Sequence, residues 1–373
     1  MMKCQNFFRI DELMNSSDQH ILLIEAIRKY GEAACAKKGS DIRLMEVCGT
    51  HTMTIAKAGI SAVLPKGVKL LSGPGCPVCV TSNHCIDACV ALSRLKNVII
   101  TTFGDMVRVP GSTTSLAKEK ANGSSIRIVY SPLDALEIAK NNPKHEVIFI
   151  GIGFETTIPL IANAIKRAAK LQLSNFSVMC AHKTVPPALE ALINDEKVKI
   201  DAFILPGHVS TVIGLKPYEF LAKKYNIPGV VTGFEQNDVL FGIAKLLKLL
   251  ADKKASIENA YPRGVKTSGN KTAVSLIDEV FESCDANWRG LGTIKKSGLK
   301  IRDEFKQFDA MEKFSPEIEP VKEPYGCRCG DVLRGAITPN ECPLFKKVCS
   351  PQNPKGPCMV SSEGSCAAFY RYH

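Results

Sequence analysis

The stretch EVIFIGIGFETTIPLIANAIKRA, residues 146 to 168, decides the fold. Its apolar run VIFIGIGF (147 to 154) shows no polar alternation and stops at Glu155. A strand apolar on both faces belongs in a parallel sheet covered on both sides. From Ile158 onward the apolar residues recur at helical spacing, so the stretch reads as strand, turn and helix. The same alternation runs from about residue 40 to 250. Its candidate strands are DIRLMEV (41 to 47), VKLLSG (68 to 73), NVIITTFG (97 to 104), SSIRIVY (124 to 130), EVIFIGIG (146 to 153), NFSVMC (175 to 180), DAFILPG (201 to 207) and PGVVTGF (228 to 234). Short strands separated by helical patterns are the signature of βαβ units.

The opening stretch has a weak echo in VTGFEQNDVLFGIAKLL (231 to 247), again a strand, a Gly-Phe-Glu turn and an amphipathic helix. Eight strands with that echo predict an α/β protein of two doubly wound parallel-sheet lobes, with a boundary between 142 and 155. The expected division is a first lobe over 1–145, a second over 146–255, and a connecting region with a C-terminal module over 256–373. Within the last segment a helix is expected at 271 to 282 and an extended stretch near 291 to 301. From Pro324 onward the chain is rich in Cys, Pro and Gly and poor in periodic apolar residues, so something other than its own core must hold it together.

With 373 residues and 45% hydrophobic content, the chain can bury a sizeable core without disulfide staples. The N-terminal stretch MMKCQNFFRIDELMN carries charges inside its only apolar patch, and no run approaches the roughly 20 apolar residues of a membrane span. A reducing cytosol is therefore expected, where the 15 cysteines serve as metal ligands or redox thiols more readily than as bridges. The net charge of +11 comes from scattered lysine pairs such as Lys223-Lys224 and Lys346-Lys347, without interleaved aromatics, so it reads as a solvated surface or an attraction to acidic protein and not as a nucleic-acid site.

Two groups of thiols stand out. Cys48 follows the strand DIRLMEV, and Gly49-Thr50-His51-Thr52 then opens a helical pattern, which puts Cys48 at the carboxyl end of a strand beside a helix N-terminus. That position favours thiolate and is the usual ligand site of open α/β sheets. The loop GPGCPVC (73 to 79) also follows a strand, so Cys76 and Cys79 are expected on the same sheet edge as Cys48, in the first lobe. His51 reads as a ligand, a proton donor or a helix residue capping a carbonyl. The plainer alternative makes Cys48 a buried small hydrophobe and Cys76-Cys79 a thioredoxin-type pair. Cys85 and Cys89, four apart on a helical pattern, are expected to face the core. In GFETT (153 to 157), Glu155, Thr156 and Thr157 are either helix caps or a polar wall facing the first lobe's thiols. His182 and His208 follow strands as well and share that ambiguity.

The tail holds the second group: Cys327, Cys329, Cys342, Cys349, Cys358 and Cys366. Zinc sites usually draw on two close Cys-x-x-Cys knuckles, whereas an iron-sulfur cube accepts dispersed thiolates. Spacing favours a cluster over zinc without deciding it. Six thiols are two more than a cubane needs, and the surplus is either a spectator pair or a dithiol-disulfide couple.

Taken together, CGTHT (48 to 52), GPGCPVC, GFETT, PGHVS (206 to 210) and the tail from CRCGDVLRG to GPCMVSSEGSC resemble, in order and over nearly the whole chain, the HypD family of [NiFe]-hydrogenase maturation proteins. The resemblance implies a redox-active scaffold on which, with the chaperone HypC, an Fe(II) ion receives its ligands as an Fe(CN)2CO moiety before passing to the hydrogenase large subunit. It implies cyanide delivered as a thiocyanate on HypE, with HypF upstream, and a [4Fe-4S] cluster held by Cys327, Cys342, Cys349 and Cys366. Cys329 and Cys358 are then the surplus couple, and Cys48, Cys76 and Cys79 converge on the iron. A competing function is a cytosolic iron-sulfur thiol-disulfide oxidoreductase with no iron-assembly role.

Overall fold

The computed structural model describes residues 18–373, so the N-terminal stretch read above lies outside the described residues. Two parallel sheets are present, as the apolar strands require. The first runs in the order β2-β1-β7-β8-β9 and is built from β1 (Ile42–Glu46), β2 (Val68–Ser72), β7 (Ala202–Pro206), β8 (Gly229–Thr232) and β9 (Ile257–Asn259). Leu44 of β1 sits opposite Leu70 of β2 on one side and Ala202 of β7 on the other. Helices Gln19–Lys38 and Gln236–Ala251 bury Leu23, Ile27, Ile243 and Leu247 in one core with Leu44, Ile204 and Val230.

The second sheet runs in the order β4-β3-β5-β6, with β3 at Val98–Thr102, β4 at Ser125–Ile128, β5 at Glu146–Gly151 and β6 at Phe176–Cys180. Here the opening stretch explains itself. Val147 and Phe149 belong to the core on one face, with Ile161 and Ile165 of the following helix, while Ile148 and Ile150 belong to the core on the other. Both faces of β5 are dry, so both sets of alternate side chains are apolar. An antiparallel hairpin, β10 (Phe281–Trp288) and β11 (Gly292–Ile301), joins this unit, with an irregular register between Cys284 and Ala286.

The division of the chain departs from the sequence reading. One compact unit comprises the described residues up to Gly73 together with Lys199–Gly269, and the other comprises Pro74–Val198 with Asn270–Arg371. No boundary falls between 142 and 155, because β5 is hydrogen-bonded to β3, with Ile100 opposite Ile148. Likewise β7 and β8 complete the sheet begun by β1 and β2. Periodicity identifies strands, but it carries no information about which sheet a strand joins. Nor does 256–373 form a separate segment: its first residues finish the first unit, and the tail packs into the second, with Val360 in the same core as Ile150 and Ile152. The helix Lys271–Val280 and strand β11 lie where they were expected, whereas β9 and β10 had no clear signal in the sequence.

Leu247 is fully buried between the long helices and the sheet of the first unit. Leu247→Ala is expected to cost that unit about 3 kcal/mol, the usual price of a large core deletion, in urea unfolding followed by circular dichroism.

Candidate functional site

In each sheet the strand order reverses direction once, and ligands of open α/β sheets bind beyond the carboxyl ends of the two strands flanking that reversal. In the first unit these are β1 and β7. Cys48 lies directly beyond β1, as the N-cap of the helix Gly49–Lys57, with an extended backbone and no side-chain cap. The sequence reading overlooked what holds it. Glu46, buried inside the last turn of β1, accepts the Cys48 N–H at 3.0 Å through Oε2 and the Thr52 hydroxyl at 2.5 Å through Oε1. One carboxylate thus fixes both ends of the Cys-Gly-Thr-His-Thr turn. The signal was available as a glutamate at a position where β1 is otherwise buried and apolar.

His51 is fully buried. Its Nε2 donates to the Gly233 carbonyl at 2.8 Å and lies 2.9 Å from the Thr232 hydroxyl, while its Nδ1 has no partner. The imidazole stacks on Phe234, whose ring also stacks on the exposed His208 at a centroid distance of 3.7 Å. Burial holds the His51 pKa down at about 4, outweighing the carbonyl that it binds. His51 is therefore neutral at physiological pH, with a lone pair on Nδ1, which suits a proton acceptor or a ligand and excludes a standing imidazolium.

Cys76 and Cys79 belong to the second unit, contrary to the expectation that they share a lobe with Cys48. β2 is an edge strand, so the chain leaving it through Gly73 and Pro74 has no further strand of that sheet to enter on that side. Cys76 caps the short helix Pro77–Val80, its sulfur accepting the Cys79 N–H at 3.3 Å and donating to the Ser361 hydroxyl at 3.3 Å. Cys79 reaches the Pro357 carbonyl at 3.9 Å. Its thiol has those of Cys358 and Cys76 as close neighbours. Burial raises the Cys79 thiol well above its ordinary range.

The contacts continue through the tail. Cys358 has the thiols of Cys329, Cys366 and Cys79 as neighbours, and Cys329 that of Cys327, close enough that they shift one another's ionisation. The Cys329 contact and burial push Cys327 up. All six tail cysteines, with Leu344, Phe345 and Met359, line one small pocket. The Lys355 N–H points at Cys349 sulfur at 3.4 Å, the kind of donor that stabilises a metal-bound thiolate. Among the described residues no three or more His, Cys, Asp or Glu converge as a single bound ion requires, and all the described cysteines are free thiols. A pocket walled by six thiols has the donor chemistry of an iron-sulfur cluster, so the residues present fit that group.

The tail reaches this position through the strand reversal of the second sheet, between β3 and β5. Arg108, just past β3, donates to the Val360 carbonyl at 3.4 Å, and the Ser362 N–H approaches Asp105 at 3.4 Å. Glu155, just past β5, does not cap its own helix, Ile158–Lys170, whose N-cap Thr157 makes no side-chain cap bond. Its Oε1 instead accepts the Val185 N–H at 2.9 Å, at the start of the helix Val185–Ile193, and its buried Oε2 has no partner. Thr157 only turns back to the Phe154 carbonyl at 3.2 Å, and Thr156 is half-buried in the same loop. Nearby in sequence, His182 is buried, with Nδ1 3.2 Å from Cys180 sulfur, Nε2 unpartnered and a pKa lowered by burial to about 3. Cys85 and Cys89 face the core as expected.

Comparison with known proteins follows the same residues. The family described as "HypD: Hydrogenase formation hypA family" matches residues 23–373. The hydrogenase maturation factor HypD of Rhodobacter capsulatus is 45% identical over 355 residues, covering 94% of this chain and 94% of that protein. That of Escherichia coli K12 is 43% identical, covering 97% of each chain. That of Azotobacter vinelandii is 44% identical, covering 91% of this chain and 92% of its own.

Burial raises the Glu155 pKa to about 7 from an ordinary 4.5. The folded chain therefore keeps Glu155 protonated while the unfolded chain ionises. Its contribution to stability is complete below pH 4.5 and is lost as pH rises through about 7. Glu155→Gln is expected to remove this loss, amounting to about 3 kcal/mol at pH 8 by linkage. Urea unfolding of both proteins at pH 5 and pH 8 measures it.

Proposed function

We propose that this chain, which belongs to the HypD family and so serves hydrogenase maturation, is the cytoplasmic redox scaffold on which Fe(II) acquires its cyanide and carbonyl ligands together with HypC. The observation that carries the redox part of this reading is the line of thiol contacts from Cys76 through Cys79, Cys358 and Cys329 to Cys327 within one unit. A structural thiol core would not need to link the GPGCPVC loop to the tail pocket sulfur by sulfur.

The chemistry balances. Cyanide arriving as a thiocyanate on HypE must leave its sulfur as an anion, which takes two electrons. If Cys76 and Cys79 supply them, the S–CN bond breaks, HypE regains a thiol, cyanide and a proton are released, and Cys76 and Cys79 join as a disulfide. Cys358 is placed to attack Cys79, releasing Cys76, and Cys329 then attacks Cys358, releasing Cys79. The result is a restored dithiol and a Cys329–Cys358 disulfide, which an external one-electron donor protein must reduce. A [4Fe-4S] cluster held by Cys327, Cys342, Cys349 and Cys366 would accept those electrons singly, as such clusters do. Iron is the cargo. Soft thiolates suit low-spin Fe(II), and Cys48, fixed by Glu46 at the strand reversal of the first sheet, is the ligand we assign to it. His51 Nδ1 and the protonated Glu155 stand as proton acceptor and proton donor.

The anaerobically purified protein is expected to be brown, with about four irons and four sulfides. Cys342→Ala should bleach it, whereas Cys358→Ser should keep the colour and fail to regenerate the Cys76-Cys79 dithiol. Colour surviving in Cys342→Ala, or bleaching in Cys358→Ser, overturns the ligand assignment.

Copurified with HypC, the protein should show cyanide and carbonyl stretching bands in the infrared, and Cys48→Ser should remove them. Their absence from the unaltered complex favours the oxidoreductase alternative, because a thiol-disulfide enzyme has no need of diatomic iron ligands.

A further inference from the structure

The hairpin β10–β11 ends in Trp288-Arg289-Gly290, and this tip touches both halves of the thiol line. The Arg289 N–H donates to the Val80 carbonyl at 2.8 Å, one residue past Cys79. Its Nε donates to the Thr81 carbonyl at 2.9 Å, and its guanidinium also binds Asn83 Oδ1 and, at 3.2 Å, Glu323. Thr81 and Trp288 form a bridge between the two backbones. On the other side of the tip, Gly290 has φ +79° and lies so close to Gly330 that a side chain on it would stand 2.2 Å from the Gly330 Cα. Gly330 in turn would meet the Gly290 Cα at 2.6 Å. Gly330 directly follows Cys329. One turn of backbone therefore fixes the residues just after Cys79 and the residue just after Cys329.

The charge of Arg289 is as informative as its bonds. The side chain is 5% exposed, and its one carboxylate partner among the described residues, Glu323, is 65% exposed. A well-hydrated carboxylate compensates a buried cation weakly. Holding carbonyl oxygens alone would not require a guanidinium at such desolvation cost. The field of Arg289 draws down the thiols of Cys85 and Cys327, against larger opposing effects at Cys327.

We infer that Arg289 is a positioning residue of the thiol line, clamping the Cys79 and Cys329 segments to one hairpin tip so that Cys358 reaches both sulfurs. The inference rests on the relay reading above and adds to it the group that sets the spacing. It also explains why the tip carries glycine at 290 opposite glycine at 330, since any larger pair would push the tail away from the loop.

The test isolates one sulfur contact. In the full chain carrying Cys76→Ser and Cys329→Ser, only Cys358 lies beside Cys79, and diamide takes two electrons and two protons from that pair to form a Cys79–Cys358 disulfide. Its rate of formation is followed by peptide mass spectrometry after alkylation. Adding Arg289→Gln is expected to slow it at least tenfold. Arg289→Lys, which keeps the charge but loses the planar fork, should also slow it, because the geometry and not the charge alone sets the contact. Ile301→Ala, a core change at the far end of the hairpin, serves as the control for general loosening. It should lower the melting temperature as much as Arg289→Gln does while leaving the crosslinking rate within twofold. Crosslinking at the parent rate in Arg289→Gln, or equal slowing by Ile301→Ala, overturns the positioning role and leaves the relay intact. Failure of the parent to form the Cys79–Cys358 bond overturns the relay, and this inference with it.

Discussion

The packing of the Pro357–Val360 segment against the Pro77–Val80 helix, where Cys79 reaches the Pro357 carbonyl, is the contact on which the tail's place in the second unit depends. The tail has too few apolar residues to fold by itself, yet Cys358, Met359 and Val360 are buried because they fill the strand reversal of a parallel sheet and meet the Pro77–Val80 helix. In most open α/β proteins that crevice receives a diffusible ligand. Here the chain supplies its own occupant, and what it brings there is sulfur. The same step that gives the tail a core brings its thiols beside the GPGCPVC loop.

The first unit solves a different problem with the same architecture. Its strand reversal carries Cys48, and the surrounding polar groups hold the turn that bears it. Glu46 takes the backbone N–H and the threonine hydroxyl, and Gly233 takes the His51 proton.

Much of this was legible in the residues, and the failures share one cause. β5 was recognised because both of its faces are dry, and the thiol groups because Cys, Pro and Gly in short loops have few other uses. Glu155 was noticed, with capping of its own helix and a polar wall facing the thiols both left open; its bond to the start of Val185–Ile193 fits neither, since a sequence shows only the helix that follows and not the one packed alongside. The lobes were divided wrongly for the same reason. Strand propensity is local, while the choice between pairing β7 with β6 or with β1 is settled by contacts across more than a hundred residues. Arg289 was invisible because it belongs to no motif, and Glu46 showed only as a glutamate in a buried strand, with nothing to say what it binds. Each matters through backbone groups that it binds far away, or one turn back, and backbone groups leave no trace in a sequence.

The interleaving of the two units also governs how the protein comes into being. β1 and β2 are made first, but β1 lacks its second neighbour until β7 leaves the ribosome some 150 residues later. The second unit begins in that interval and waits in turn for Asn270–Arg371. Neither body can close during early synthesis, so the nascent chain carries an unpaired, apolar strand edge and a string of reduced thiols for most of its translation. Contacts between distant segments also make folding slow. This order keeps the six-thiol tail pocket unfinished until the final helix, Ser365–Tyr372, has been made, so the pocket exists only in the completed polypeptide.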